Sequence, residues 1–210
     1  MKKEELVKII EESIQLAEEG KSKLNEKILN LEGFSSRKVR HFLNNIVNLR
    51  GPDCRYLEVG TWKGSTFVSA MHKNNNSHGI AVEIFDWPEE IKNAFDENTN
   101  RYLDKNWELK NIDFKEIGKI EDKINVYFFD GPHERENQCK AFTVMNDNLQ
   151  NLFIAIVDDW NWPHVKNGTR DAFEELKYNV VKEWEMPSSG KYPGDPDQWW
   201  NGFYIAVIEK

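Results

Sequence analysis

The chain has 210 residues, 28 Lys and Arg against 36 Asp and Glu for a formal charge of −8, and only two cysteines, Cys54 and Cys139. That length suits one domain whose core needs no staples, and two thiols supply neither a disulfide framework nor a four-thiolate zinc site. The start, Met1-Lys2-Lys3-Glu4-Glu5, has no apolar run behind it, and no later run approaches the roughly 18 residues of a membrane span. A soluble, cytoplasmic protein without a membrane partner is expected. The acidic balance argues against nucleic acid as a partner, because duplex binding rests on Lys and Arg neutralising phosphates.

Along the chain, Leu6, Ile9, Ile10, Ser13, Ile14 and Ala17 recur at helical spacing with Lys and Glu between them, which predicts an amphipathic helix closed by Gly20. Leu24, Ile28 and Leu31 mark a weaker helical set. Ser35 or Ser36 can cap a third helix with the stripe Val39, Phe42, Leu43, Ile46 and Val47. Residues 1–50 read as a helical lid or packing segment, able to meet a second copy of the chain, ahead of a core domain over 51–210. In that domain short apolar runs alternate with helical ones. Strands are expected at Cys54–Val59, Gly79–Phe85, Ile112–Ile117, Ile124–Phe129 and Leu152–Val157, with helices at 65–73, 89–105, 134–149 and 168–177. Two closing runs, Val180–Trp184 and Gly202–Ile208, are joined by the turn-rich Pro187–Asp197. The expectation is an α/β chain with a parallel sheet covered on both faces and an antiparallel last strand.

The first strand runs into Glu58-Val59-Gly60-Thr61-Trp62-Lys63-Gly64-Ser65. Glycines at 60 and 64 allow a sharp turn and close approach to a ligand, at the strand end where open α/β sheets bind nucleotide-like cofactors. The second strand brings Glu83 to its end, at the spacing where a carboxylate accepts the ribose hydroxyls of an adenosine; Asp86, otherwise a helix cap, is the alternative. The dinucleotide fingerprint Gly-x-Gly-x-x-Gly is missing, which favours a single adenosine. Asp130 ends the fourth strand and Asp158-Asp159 the fifth. Neighbouring parallel strands hold such ends about 5 Å apart, and three carboxylates that close stay ionised only around a cation. Oxygen donors select Mg²⁺, Mn²⁺ or Ca²⁺; Asp158 or Asp159 as a simple loop cap is the alternative. Trp160, Trp162, Trp184, Tyr192, Trp199 and Trp200 cluster late in the chain, with Trp184 and Trp200 read as core or hairpin packing.

The run from Glu58 to Ser65 resembles the first motif of class I S-adenosylmethionine-dependent methyltransferases, and the likeness extends over residues 53–208. It is strongest in Phe128-Phe129-Asp130-Gly131-Pro132-His133 and Ile156-Val157-Asp158-Asp159-Trp160-Asn161-Trp162. It implies a Rossmann-like doubly wound sheet and S-adenosylmethionine bound through Glu58, Gly60, Thr61, Gly64, Ser65, Glu83 and Asp130. The pattern is similar to the divalent-metal-dependent O-methyltransferases of the catechol, caffeoyl-coenzyme A and sugar-modifying types. That likeness implies Asp130, Asp158 and Asp159 as ligands of a divalent cation, Mg²⁺ first, and a small-molecule hydroxyl as acceptor. Where catechol-type enzymes carry a catalytic Lys, this chain has His133, as the sugar-modifying relatives do, which makes His133 the candidate general base. Two departures stand out. The Pro-Gly-Gly turn usual before strand five is replaced by Asn146–Asn151, and Lys115–Lys119 offers no clear match to the residue that meets adenine.

Overall fold

The computed structural model describes residues 1–186, 188–191 and 193–210. Pro187 and Tyr192, which fall in the expected hairpin loop and aromatic cluster, lie outside the described residues. Helices α1 (Lys3–Glu18), α2 (Glu26–Leu29) and α3 (Arg37–Arg50) precede the first strand. The core then runs β1 (Arg55–Val59), α4 (Ser65–Met71), β2 (His78–Val82), α5 (Glu89–Tyr102), β3 (Trp107–Lys110), β4 (Ile124–Phe129) and α6 (Arg135–Thr143). It closes with β5 (Leu149–Val157), α7 (Pro163–Glu175), β6 (Asn179–Met186) and β7 (Phe203–Glu209). The seven strands form one sheet in the order β3-β2-β1-β4-β5-β7-β6. All neighbours are parallel except β7, which runs antiparallel to both β5 and β6.

Strand alternation sorts the apolar side chains onto two faces. On one, Tyr127, Phe129, Phe153, Ala155 and Tyr204 pack against Phe142 of α6 and Phe173 of α7. On the other, Tyr56, Val126, Phe128, Ile154 and Ile205 pack against α4 and against Leu6, Ile10, Phe42 and Ile46 of α1 and α3. The third helix buries its whole predicted stripe. Ser36 caps it, its hydroxyl accepting from the Val39 amide at 3.2 Å, while Ser35 accepts from Arg40 Nε at 2.9 Å.

Three expected elements move. The third strand is Trp107–Lys110, whereas 112–117 is a loop containing a single 3₁₀ turn. As an edge strand β3 is only partly covered, so it lacks the apolar run that made 112–117 look like a strand. The last helix starts at Pro163, five residues early, because proline at the first helical position has its φ preset and gives up no helical hydrogen bond. The helix expected over 134–149 stops at Thr143, and β5 begins at Leu149. No helix among the described residues is long and apolar enough to cross a membrane.

Candidate active site

The sheet's hydrogen bonding continues one residue beyond the central strands. Gly60 N donates to Val82 O at 3.0 Å, Asp130 N to Val59 O at 2.9 Å and Asp158 N to Phe129 O at 3.2 Å. Gly60, Asp130 and Asp158 therefore stand in one row at the carboxyl ends of β1, β4 and β5, and Glu83 directly follows β2. Above them opens a cleft of about 840 Å³.

The glycine turn is built for this junction. Gly60 has φ +86°, and a Cβ there would lie 1.9 Å from the Asp130 carbonyl oxygen. Gly64, φ +78°, begins α4 with its back against the Phe95 ring. Gly60, Thr61, Trp62 and Ser65 face the cleft. Glu58 and Gly64 stand behind the lining.

Glu58 is completely buried, accepting from Tyr56 Oη and Thr66 Oγ1, both at 2.5 Å. Burial raises its carboxyl from 4.5 to about 7, although the two hydroxyls pull the other way. The folded state thus binds a proton that the unfolded chain releases. The sign follows: this group costs nothing below pH 4.5, and stability falls as pH rises from about 4.5 to 7, by a few kcal/mol in all at about 1.4 kcal/mol per unit. Glu58→Gln should flatten the urea-unfolding free energy across that window. A slope equal to wild type would assign it to other groups.

Glu83 is nearly buried yet lines the cleft. Its Oε2 accepts from the Trp62 amide at 2.7 Å, and its Oε1 from the Ile84 and Phe85 amides at 3.1 and 3.4 Å. The carboxylate ties the β1 turn to the end of β2 and keeps about one of its four acceptor positions open. Asp86 is exposed on the cleft rim.

At the ends of β4 and β5, single ligand atoms of Asp130, His133 and Asp159 lie within 4.8 Å of one another. His133 Nε2 is 2.7 Å from Asp159 Oδ2, and Asn201 Nδ2 donates to Asp159 Oδ1 at 2.8 Å. Asp159 sits in a left-handed turn, φ +54°, closed by the Trp162 amide donating to its carbonyl. The Trp162 ring stands edge-on to His133, 4.6 Å between centroids. Asp158 lines the same cleft outside the tight trio, and its Oδ1 is buried without a hydrogen-bond partner among the described residues. Burial, then neighbouring carboxylates, push Asp130 and Asp158 well above the carboxylate range. An orphaned buried oxygen, crowded acids and an imidazole make a donor set that fits a hard divalent cation. His164, placed near the site by its sequence position, is exposed at the start of α7 and not in the lining, with its ring 5.5 Å from Trp162.

Several lining residues carry no motif. Phe34, 58% exposed, packs on Trp62 with ring centroids 4.8 Å apart. It is delivered by the segment that leaves α2, where the buried Arg40 donates from Nη1 to the carbonyls of Ile28 and Leu29 at the end of that helix and of Leu31 beyond it. Ile84, Trp87 and Phe114 form the wall beyond Glu83. Trp200 packs against the core as expected and also lines the cleft, whereas Trp199 turns inward and donates from Nε1 to Glu18 at 2.7 Å. The pair closes a turn in which Trp200 has a left-handed backbone, φ +51°, and there the two rings part.

This strand order, with a glycine turn after β1 and acids directly after β2, β4 and β5, is the arrangement of a class I S-adenosylmethionine-dependent methyltransferase. Residues 57–160 match a family described as a methyltransferase domain, and the chain belongs to the S-adenosylmethionine-dependent methyltransferases. An O-methyltransferase from Bacillus cereus, solved in complex with SAH, matches at 16% identity and TM-score 0.61 over 100% of this chain and 92% of that one. TomG, an O-methyltransferase of tomaymycin synthesis from Streptomyces achromogenes solved with SAM, matches at 15% identity and TM-score 0.60, again over 100% and 92%. A precorrin-6y C5,15-methyltransferase from Geobacter metallireducens matches at 14% identity and TM-score 0.58 over 89% and 92%. At these identities the likeness is one of fold, which is shared by methyltransferases of different acceptors. A search of curated protein sequences returns no significant match.

Proposed function

We propose that the protein transfers the methyl group of S-adenosylmethionine to a hydroxyl of a small molecule, assisted by a divalent cation. The observation that carries this reading is the convergence of Asp130, His133 and Asp159 in the same cleft as the Gly60 turn. The methionine end of the cofactor would lie over Gly60, Thr61 and Ser65, supported from behind by Glu58 and Gly64, with Asp130 beside it. Its ribose would meet Glu83. A cleft of about 840 Å³ has room for the cofactor and a modest acceptor, which favours a small molecule.

Asp130, Asp158 and Asp159 would hold the cation, with His133 alongside. A bound divalent cation would supply Lewis acidity, lowering the pKa of the acceptor hydroxyl. The chain's own part is positional and acid–base. The Asp159 carboxylate orients His133 by receiving Nε2–H, which leaves Nδ1 as the nitrogen that accepts the hydroxyl proton. Cofactor and acceptor held in line supply much of the remaining rate.

Labelled S-adenosylmethionine offered with a panel of vicinal diols, phenols and sugars is the direct test. Turnover should vanish in EDTA and return with Mg²⁺. A second reading, metal-independent transfer, is favoured by the His133–Asp159 pair, which is already an oriented base. Full turnover in EDTA would select it, and failure to bind S-adenosylmethionine in calorimetry would remove both. Glu83→Ala should weaken cofactor binding by about 1 to 3 kcal/mol, through lost hydrogen bonds to a charged group. If affinity is unchanged and Asp86→Ala lowers it instead, the ribose belongs to Asp86.

A further inference from the structure

At the opposite end of the sheet from the cleft, a second, open pocket of about 380 Å³ lies where α1 and α3 meet the beginnings of β4 and β5. Leu6 and Leu152 form its apolar side; Arg50, Lys123, Gln150 and Asn151 form its polar side. Arg50, the last residue of α3, is only 9% exposed, and its Nε is buried with no hydrogen-bond partner among the described residues. Every other arginine is partnered: Arg40 by three carbonyls, and Arg37, Arg55, Arg101, Arg135 and Arg170 by carboxylates. No carboxylate among the described residues reaches Arg50.

The surroundings do not compensate it. Cys54 is a titratable neighbour, and burial pushes its thiol up to about 12, so it stays neutral. Arg55, also close to Cys54, is committed to Asp122 at 3.2 Å. The carboxyl end of α3 offers only partial negative charge. Burying a guanidinium without a partner is expensive, whereas its planar fork suits an oxyanion.

We propose that this cavity binds a small oxyanion, a carboxylate or phosphate group, held by the Arg50 guanidinium with Lys123 and the side-chain amides of Asn151 and of Gln150, whose Nε2 keeps one N–H beyond the one it gives the Lys123 carbonyl at 3.2 Å. Such a site is separate from the methyl-transfer cleft, since it lies at the amino ends of the strands whose carboxyl ends carry the acids. It takes the opposite charge as well.

Thermal unfolding of the full chain in phosphate, acetate or chloride at one ionic strength, about 50 mM so that screening is equal, tests this. Phosphate or acetate should raise Tm by about 2–4 °C over chloride. Whichever anion does so identifies the phosphate or the carboxylate as the group received. Arg50→Met should abolish the difference and leave the shift caused by S-adenosylmethionine unchanged. Lys123→Met, an exposed position that leaves the fold intact, should reduce it, which keeps the test decisive if Arg50→Met unfolds. Neither anion exceeding chloride overturns the proposal, as does an undiminished response in both variants.

Discussion

Replacing His133 with alanine is expected to lower turnover about 10²- to 10⁴-fold, the usual worth of a positioned general base, with cofactor affinity unchanged. His133 meets Asp159, 2.7 Å away, and Trp162, and neither contact supports the glycine turn. Asp159→Asn sharpens the test. Asparagine tolerates the left-handed backbone at φ +54° and can still accept from Asn201. Its amide, however, would donate toward His133 Nε2 and force the other tautomer, with Nδ1 protonated and unable to accept. The loss should approach that of His133→Ala, as it does when the orienting acid of a catalytic triad is changed the same way. In the double variant the two losses should not multiply, because both remove one device. Turnover within a factor of three of wild type in His133→Ala would return His133 to the role of a loop residue.

Gly60→Ala should be the most damaging single change to the fold. The added methyl would sit 1.9 Å from the Asp130 carbonyl oxygen and 2.5 Å from its carbon, both backbone atoms that cannot swing away. At φ +86° an L-residue carries about 1–3 kcal/mol of strain even in open space. Relief requires parting the ends of β1 and β4, where Asp130 N donates to Val59 O. A loss of about 3–5 kcal/mol is expected in urea unfolding, together with loss of S-adenosylmethionine binding. A change below 1 kcal/mol would mean that the turn relaxes freely and is no scaffold.

Motif and site were unequally legible. Gly60, Glu83, Asp130 and Asp159 could be placed from sequence because each follows a short apolar run, and the end of a run marks the end of a strand. Glu83's position was readable, but its work was not: the three amides it accepts from come from the β1 turn and from its own loop. Three acids were expected to converge, whereas the tight trio is Asp130, His133 and Asp159. Strand spacing sets the rows, but the left-handed turn at Asp159 sends the adjacent carboxylates of Asp158 and Asp159 in different directions. Phe34 carries no sequence signal because its place depends on Arg40 gathering the carbonyls at and just beyond the end of α2, a contact across about ten residues with no periodic signature.

By itself the sequence determined the alternation of strands and helices, the exact extent of β4 at Ile124–Phe129, the buried stripe of α3 and the glycine turn after β1. Each is a local property, since hydrophobic period and turn chemistry act over a few residues. Tertiary structure alone decided where β3 lies, because a partly covered edge strand needs no apolar run, and which face of the Trp199-Trp200 pair meets the cleft. It also decided that Asp159 pairs with His133, and that Arg50 is buried beside Lys123 without a counter-charge among the described residues. Those outcomes depend on strand register and on loops returning from distant parts of the chain, which no window of neighbouring residues encodes.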